Sequence, residues 1–308
     1  MNCTAQSSVK GQPLAMALLE RAIVTGRIAP AYLFCGPQGV GKAMAARHFA
    51  ARLLESALGR IERGNHPDLL WVEPTYKKGD KLLSRAEALA EGGNLPRALP
   101  QVRLEQVRGI NQFLSRPPLE AARQVIVIEG AEAMGDGAAN ALLKILEEPG
   151  GAVFVLIAPS AGGLLATVRS RCQKVPFCCL PHELVAQILA ALGKSVDERL
   201  LAMAQGSPGR ALELQTWLFG IPPELLAEAE KWAYRPLDLR SALTLARRID
   251  AELNLEQQIP LVDYLQQLAW AAGRVERLAP LEALRTQLLG YVSPRLAWEV
   301  GIPPLPPL

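Results

Sequence analysis

A glycine-rich turn between a short apolar run and a helix-forming run constrains this chain more than any other feature. Ala31–Cys35 (AYLFC) reads as a buried strand, and Lys42–Leu58 as one long helix. Between them Gly36-Pro37-Gln38-Gly39-Val40-Gly41-Lys42-Ala43 matches G-x-x-x-x-G-K. Such a loop aims backbone N–H groups and a helix N-terminus at phosphate oxygens, and its lysine reaches the terminal phosphates. Gly36, Gly39, Gly41, Lys42 and Ala43 are therefore the candidate nucleotide-binding residues.

Two losses mark that loop as degenerate. Ala43 stands where a serine or threonine hydroxyl ordinarily reaches magnesium. The next acidic strand, Val125–Ile128 (VIVI), ends in Glu129-Gly130-Ala131-Glu132. Glu129 takes the metal-organising place with a longer side chain, and Gly130 has no side chain where a water-activating base belongs. Glu129 and Glu132 read equally well as solvated carboxylates at a strand end. Phosphoryl transfer depends on positioned metal and charge, so the chain is expected to have negligible hydrolysis of its own.

Strands alternate with helices through the first half. Leu14–Val24 and Leu104–Leu114 have helical spacing, as does Ala138–Leu146. LLWV within His66–Pro74, VIVI, and Val153–Ile157 (VFVLI) are apolar throughout. Fully apolar strands separated by helices imply a parallel sheet covered on both faces. After Cys172 the strand signal fades. Pro181–Leu192 and Asp197–Ala204 read as helices, Gly206–Pro208 as a break before another, and Ile221-Pro222-Pro223 as a linker. Helical periodicity continues to about Val300. The expected division is an α/β core over 1–176, a small helical domain over 177–220, an all-α domain over 221–300 and a Pro-rich tail over 301–308. Lys77–Pro100 reads as a surface insertion with uncertain local helix.

Composition narrows the function classes. The net charge of +3 is too small for a marked DNA-binding footprint, so any DNA contact should be local or shared with partners. No apolar run is long enough to span a bilayer, and the N-terminal residues show no secretory signal, which points to the cytoplasm. Cys3, Cys35, Cys172, Cys178 and Cys179 contain no CxxC pair and read as thiols of a reducing compartment.

Thr167-Val168-Arg169-Ser170-Arg171-Cys172 follows VFVLI and a Gly-rich loop. A guanidinium here could be offered to a partner's γ-phosphate with fixed donors and permanent charge. Spacing alone favours an ordinary surface arginine.

Several motifs then line up in order. Gly11-Gln12, Gly26–Phe34 and the phosphate loop resemble the start of bacterial clamp-loader subunits of the AAA+ family. Gly64-Asn65-His66-Pro67-Asp68 looks like the hallmark of its delta-prime branch. Ala139–Pro149 (ANALLKILEEP) is similar to a signature shared across the family, Ser170-Arg171-Cys172 to its SRC motif, and Gly206–Leu212 to its sensor-2 segment. The resemblance runs from about Gly11 to Leu212.

The resemblance implies an AAA+ P-loop core, a helical lid and a helical collar. It implies the delta and gamma or tau subunits as partners, the sliding clamp indirectly, and primed DNA. It also implies that Arg171 completes the ATP site of an adjacent subunit as an arginine finger. Arg210, at the sensor-2 place, reads either as a nucleotide-facing residue or as a lid residue in an ion pair. No cofactor is required on this reading, though ATP or ADP could bind without hydrolysis.

Three departures stand out. Many relatives carry four zinc-binding cysteines soon after the phosphate-loop helix; Glu55–Asn65 has none, so no zinc is expected and His66 reads as a turn residue. Pro30 stands where many relatives have histidine. The sensor-1 place, Ala158-Pro159-Ser160, lacks an obvious polar group at the strand end. Two competing readings are a gamma/tau-type ATP-hydrolysing motor, which Ala43, Glu129 and Gly130 disfavour, and a DNA-binding module using Arg97, Arg103 and Arg116.

Overall fold

The computed structural model describes residues 9–79, 81–92, 99–195, 197–290 and 292–302. The chain divides into two compact units. The first comprises Met1–Ser84, Pro100–Ser195 and Gln205–Arg210; the second comprises Arg85–Leu99, Val196–Ala204 and Ala211–Leu308.

In chain order the elements begin with α1 (Pro13–Val24), β1 (Ala31–Cys35), α2 (Lys42–Leu53), α3 (Leu58–Glu62) and β2 (Leu69–Val72). A hairpin of β3 (Tyr76–Lys78) and β4 (Lys81–Leu83) follows, then α4 (Arg85–Gly92) and α5 (Leu104–Leu114). Next come β5 (Val125–Ile128), α6 (Asp136–Glu147), β6 (Val153–Ala158), α7 (Ala166–Arg169) and β7 (Gln173–Pro176). The remainder is helical: α8 (His182–Ala191), α9 (Glu198–Met203), α10 (Pro208–Phe219), α11 (Pro223–Tyr234), α12 (Leu239–Glu252), α13 (Leu255–Ala271), α14 (Leu278–Leu289) and α15 (Pro294–Gly301).

Five parallel strands form one sheet in the order β2-β5-β6-β1-β7. Alternation along β1 explains how both faces are covered. Ala31, Leu33 and Cys35 join the cluster containing Val107 and Ile110 of α5 and Leu142 and Ile145 of α6. Tyr32 and Phe34 turn to the opposite face, where their rings lie 5.0 and 6.4 Å from that of Phe49 on α2. The expected α/β fold with a parallel sheet is therefore present, followed by an all-α segment.

Two expectations need correction. The long helix from Lys42 breaks after Leu53: Glu55 takes a left-handed φ of 50° and the Ser56 N–H returns to the Ala51 carbonyl at 3.0 Å. That turn lets Leu53, Leu54 and, from α3, Ile61 all be buried. The strand signal does not end at Cys172, because β7 pairs with β1 from Tyr32↔Gln173 to Cys35↔Pro176. As an edge strand it buries Val175 and leaves Gln173 and Lys174 exposed, so its composition conceals it, and Pro176 needs no ladder donor there. Within Lys77–Pro100 the local helix is α4, preceded by the β3–β4 hairpin; residues 80 and 93–98 of that stretch lie outside the described residues.

In the second unit, Trp298 is fully buried and its indole N–H donates to Gln258 Oε1 at 2.9 Å. Gln258 in turn donates to the Leu253 carbonyl at 2.9 Å. Trp232 donates to the Ile302 carbonyl at 2.9 Å, which ties the end of α15 to α11. Both tryptophans thus bring large apolar area together with a satisfied polar atom. Ile221, expected in a linker, is buried, and Pro223 is the first residue of α11. Gly301 closes α15; residues 303–308 of the expected tail lie outside the described residues.

Candidate functional site

The phosphate loop sits at the carboxyl end of β1, between β6 and β7. Its glycines all adopt left-handed backbone, with φ of 153° at Gly36, 75° at Gly39 and 100° at Gly41. Each also meets the protein itself. A Cβ on Gly36 would fall 2.1 Å from the Phe177 carbonyl oxygen, and one on Gly39 would fall 2.5 Å from Ser207 Oγ. Gly41 has room for contact with Val9 and is held by its φ.

Groups that a phosphate would need are occupied within the chain. The Lys42 ammonium is buried and donates to the carbonyls of Gly36 and Pro37 in its own loop. Burial lowers the Lys42 pKa from its ordinary value, with Glu132 and Glu129 opposing the shift. Ser207 Oγ donates to the Gln38 carbonyl at 2.6 Å and receives the Arg210 N–H at 3.1 Å. Gly209 donates its N–H to the Gly39 carbonyl at 3.0 Å. From the other side, the buried Gln12 amide donates to the carbonyls of Val40 and Cys178, at 3.3 and 2.7 Å. Ala43 is half-buried beside Lys42 on the first turn of α2 and offers no oxygen. Arg210 is half-buried on the first turn of α10.

The acidic strand end is equally committed. Glu129 Oε2 accepts from the Trp71 indole N–H at 3.3 Å, and the Arg47 guanidinium lies 4.5 Å over the Trp71 ring. Burial raises the Glu129 pKa, nearby Glu73 adds to this, and the Trp71 bond and Arg47 oppose it. Glu129 is therefore a half-buried acceptor rather than a solvated carboxylate, whereas Glu132 has an exposed side chain. Gly130 has φ 62°, and a Cβ there would sit 2.5 Å from Pro74 Cγ. Position 130 thus has neither the backbone nor the room for a side chain. These residues do not fit a magnesium–nucleotide centre.

Arg171 lies elsewhere in the same unit, just beyond α7, on the surface. Its Nη1 donates to the Thr167 carbonyl at 3.0 Å and its Nη2 to Glu147 Oε1 at 2.7 Å. Arg169 is also exposed, and its Nη1 reaches the Ala161 carbonyl at 3.4 Å. Of the arginines considered for DNA, Arg116 is exposed, Arg103 is half-buried before α5, and Arg97 lies outside the described residues. Cys35 is buried, Cys172 half-buried, and Cys178 and Cys179 exposed, all as free thiols; Cys3 lies outside the described residues. Among the described residues no cluster of three or more His, Cys, Asp or Glu could hold a metal. No described helix is long and apolar enough to cross a membrane.

The delta-prime-like run at Gly64–Asp68 is structural. His66 and Asp68 are buried, and the Asp68 N–H donates to His66 Nδ1 at 3.1 Å. The Asp68 carboxylate accepts the backbone N–H groups of Leu119, Glu120 and Ala121 at 2.7–2.8 Å. It thereby anchors the loop that leads into β5.

Two contacts escaped the sequence reading. Trp71 reaches Glu129 because β2 and β5 pair in the register Trp71↔Val127, which puts the two side chains on one sheet face. Glu147 meets Arg171 across 24 residues. Neither pairing is signalled by local spacing.

The family described as "DNA polymerase III, delta subunit" matches residues 11–180. The chain belongs to that family. Residues 183–304 match a second family, described as "Cyanobacterial DNA polymerase III delta prime, C-terminal domain". Among relatives of this DNA polymerase III family, the delta' subunit of Pseudomonas aeruginosa is 35% identical over 203 residues, which are 60% of this chain and 56% of that one. The delta' subunit of Bacillus subtilis is 34% identical over 216 residues, 66% of this chain and 59% of that one. The alignments thus span between 56% and 59% of these relatives' length. A crystal structure of a DNA polymerase III gamma subunit-related protein from Thermotoga maritima superposes with a TM-score of 0.54. It shares 16% identity, over 94% of this chain and 97% of that one, and so speaks to the fold alone. The clamp-loader resemblance carried by the motifs holds at the level of family and fold.

Proposed function

We propose that this chain is the delta-prime subunit of a cytoplasmic DNA polymerase III clamp loader, and that it does not hydrolyse ATP. It needs no cofactor of its own, and in its resting conformation it takes up neither ATP nor ADP. Its partners are the delta and gamma or tau subunits, with the sliding clamp and primed DNA engaged through the assembly. The observation that carries this reading is the closure of the phosphate loop: Lys42 is turned onto its own loop carbonyls, and Ser207 and Gly209 hold the loop from outside.

Arg171 supplies what this chain contributes to the chemistry. Its guanidinium is exposed and oriented, and it acts on the γ-phosphate held by a neighbouring ATPase subunit. A finger of this kind is worth about 10³ to 10⁵ in rate. The test is Arg171→Ala in the reconstituted loader. DNA-stimulated ATP hydrolysis should fall by a factor in about that range while the complex still assembles. Unchanged hydrolysis and clamp loading would refute the role of Arg171. Robust hydrolysis by the purified chain alone would instead favour a gamma/tau-type motor.

A further inference from the structure

Arg171 is held by two anchors on different elements. Thr167, on α7, offers its carbonyl to Nη1 at 3.0 Å; Glu147, the last residue of α6, offers Oε1 to Nη2 at 2.7 Å. A guanidinium is planar and carries five N–H donors in a fixed fork. Two bonds to separate anchors on its two terminal nitrogens fix the plane and still leave donors for a further anion. Those remaining are the Nε–H and the second hydrogen of each terminal nitrogen.

Stability does not explain the pair. The Arg171 and Glu147 side chains are 38% and 49% exposed, and ion pairs this open to water contribute little to folding. The neighbouring Arg169 is not held in this way, since its guanidinium reaches a single loop carbonyl at 3.4 Å. A long side chain at a surface ordinarily samples many rotamers, and an anion that binds it must first restrict them. Glu147 and Thr167 remove that step in advance. Thr167 contributes only main chain, so Glu147 is the side chain on which the arrangement depends.

We infer that Glu147 is a positioning residue: it presents the Arg171 guanidinium, by a hydrogen bond to Nη2, to the phosphate oxygens held by the adjoining subunit. This rests on the trans role of Arg171 given above. Glu147 touches no substrate and acts through the arginine.

The test compares Glu147→Ala, Glu147→Gln, Arg171→Ala and the Glu147→Ala/Arg171→Ala double variant in the full reconstituted loader. The measurements are kcat and KM for DNA-stimulated ATP hydrolysis, together with assembly by size exclusion. A misplaced group costs on the order of 10- to 100-fold in rate. Glu147→Ala should therefore lower kcat by about that factor, with KM and assembly unchanged. Glu147→Gln keeps an acceptor oxygen at the same reach and should recover to within about threefold of the parent. The double variant should be no slower than Arg171→Ala alone, because a positioner has no effect without the group it positions. If Arg171→Ala is slow but Glu147→Ala is not, the positioning role fails while the finger stands. It fails equally if Glu147→Gln is as slow as Glu147→Ala, or if the two alanine effects multiply. If Arg171→Ala leaves hydrolysis intact, the trans role itself falls and this inference falls with it.

Discussion

Gly209 and Gly39 meet backbone to backbone: the Gly209 N–H donates to the Gly39 carbonyl at 3.0 Å, and a Cβ on Gly209 would fall 2.6 Å from Gly39 Cα. Gly209→Ala must push the phosphate loop and the start of α10 apart. Overpacking against main chain costs about 1–3 kcal/mol, so the variant should unfold at correspondingly lower urea concentration. A variant as stable as the parent would show that the contact is loose. Because the loop is closed, saturating MgATP should move the melting temperature of the purified parent chain by less than about 0.5 °C. A rise of several degrees would mean that the loop opens to nucleotide.

Asp68 should act as the pin of the loop before β5. Burial alone would raise its pKa, but the three backbone N–H groups from Leu119, Ala121 and Glu120 outweigh it and lower the value below 3.8. A depressed carboxylate pKa contributes stability that is present above the unfolded value and is lost as pH falls through the folded one. Asp68→Asn turns an amide toward at least one of those donors and should cost about 1–3 kcal/mol at neutral pH. The difference from the parent should hold down to the ordinary aspartate pKa near 3.8 and narrow below it. Denaturant curves across that range test this; equal stability at neutral pH would refute the anchor.

Glu256, in the first turn of α13, shifts the other way. Burial raises its pKa from 4.5 to about 7. Arg85 Nη1 lies 3.0 Å from Oε2, but that oxygen makes no aligned hydrogen bond, so the guanidinium offsets little of the desolvation. The folded chain holds this proton more tightly than the unfolded one, so stability declines as pH rises from 4.5 to about 7 and is level above. Glu256→Gln should therefore be more stable than the parent by about 1–3 kcal/mol at mildly alkaline pH, with the gain fading toward pH 4.5. A gain independent of pH would point to packing rather than ionisation.

Local signals carried most of the core. The apolar runs AYLFC, LLWV, VIVI and VFVLI all became buried or half-buried strands, because a parallel strand covered on both faces must be apolar throughout. Edge strand β7 was illegible for the converse reason, since Gln173 and Lys174 face solvent. The break at Glu55 was hidden because Lys42–Leu58 has no Pro or Gly and the turn is imposed by burying Leu53 and Leu54. At the site, the missing hydroxyl of Ala43 and the missing side chain of Gly130 could be read directly. That Lys42 bends onto its own loop, and that Trp71 caps Glu129, depends on tertiary contacts no spacing encodes.

The turn at Gly130 constrains what can replace the glycine. With φ at 62° and Pro74 Cγ only 2.5 Å from where a Cβ would stand, an acid cannot be introduced at this position by a single replacement without straining the turn and displacing Pro74. A side chain at 130 would require a second replacement at 74 to make room for it. The tight turn thus behaves as a ratchet against any side chain at position 130.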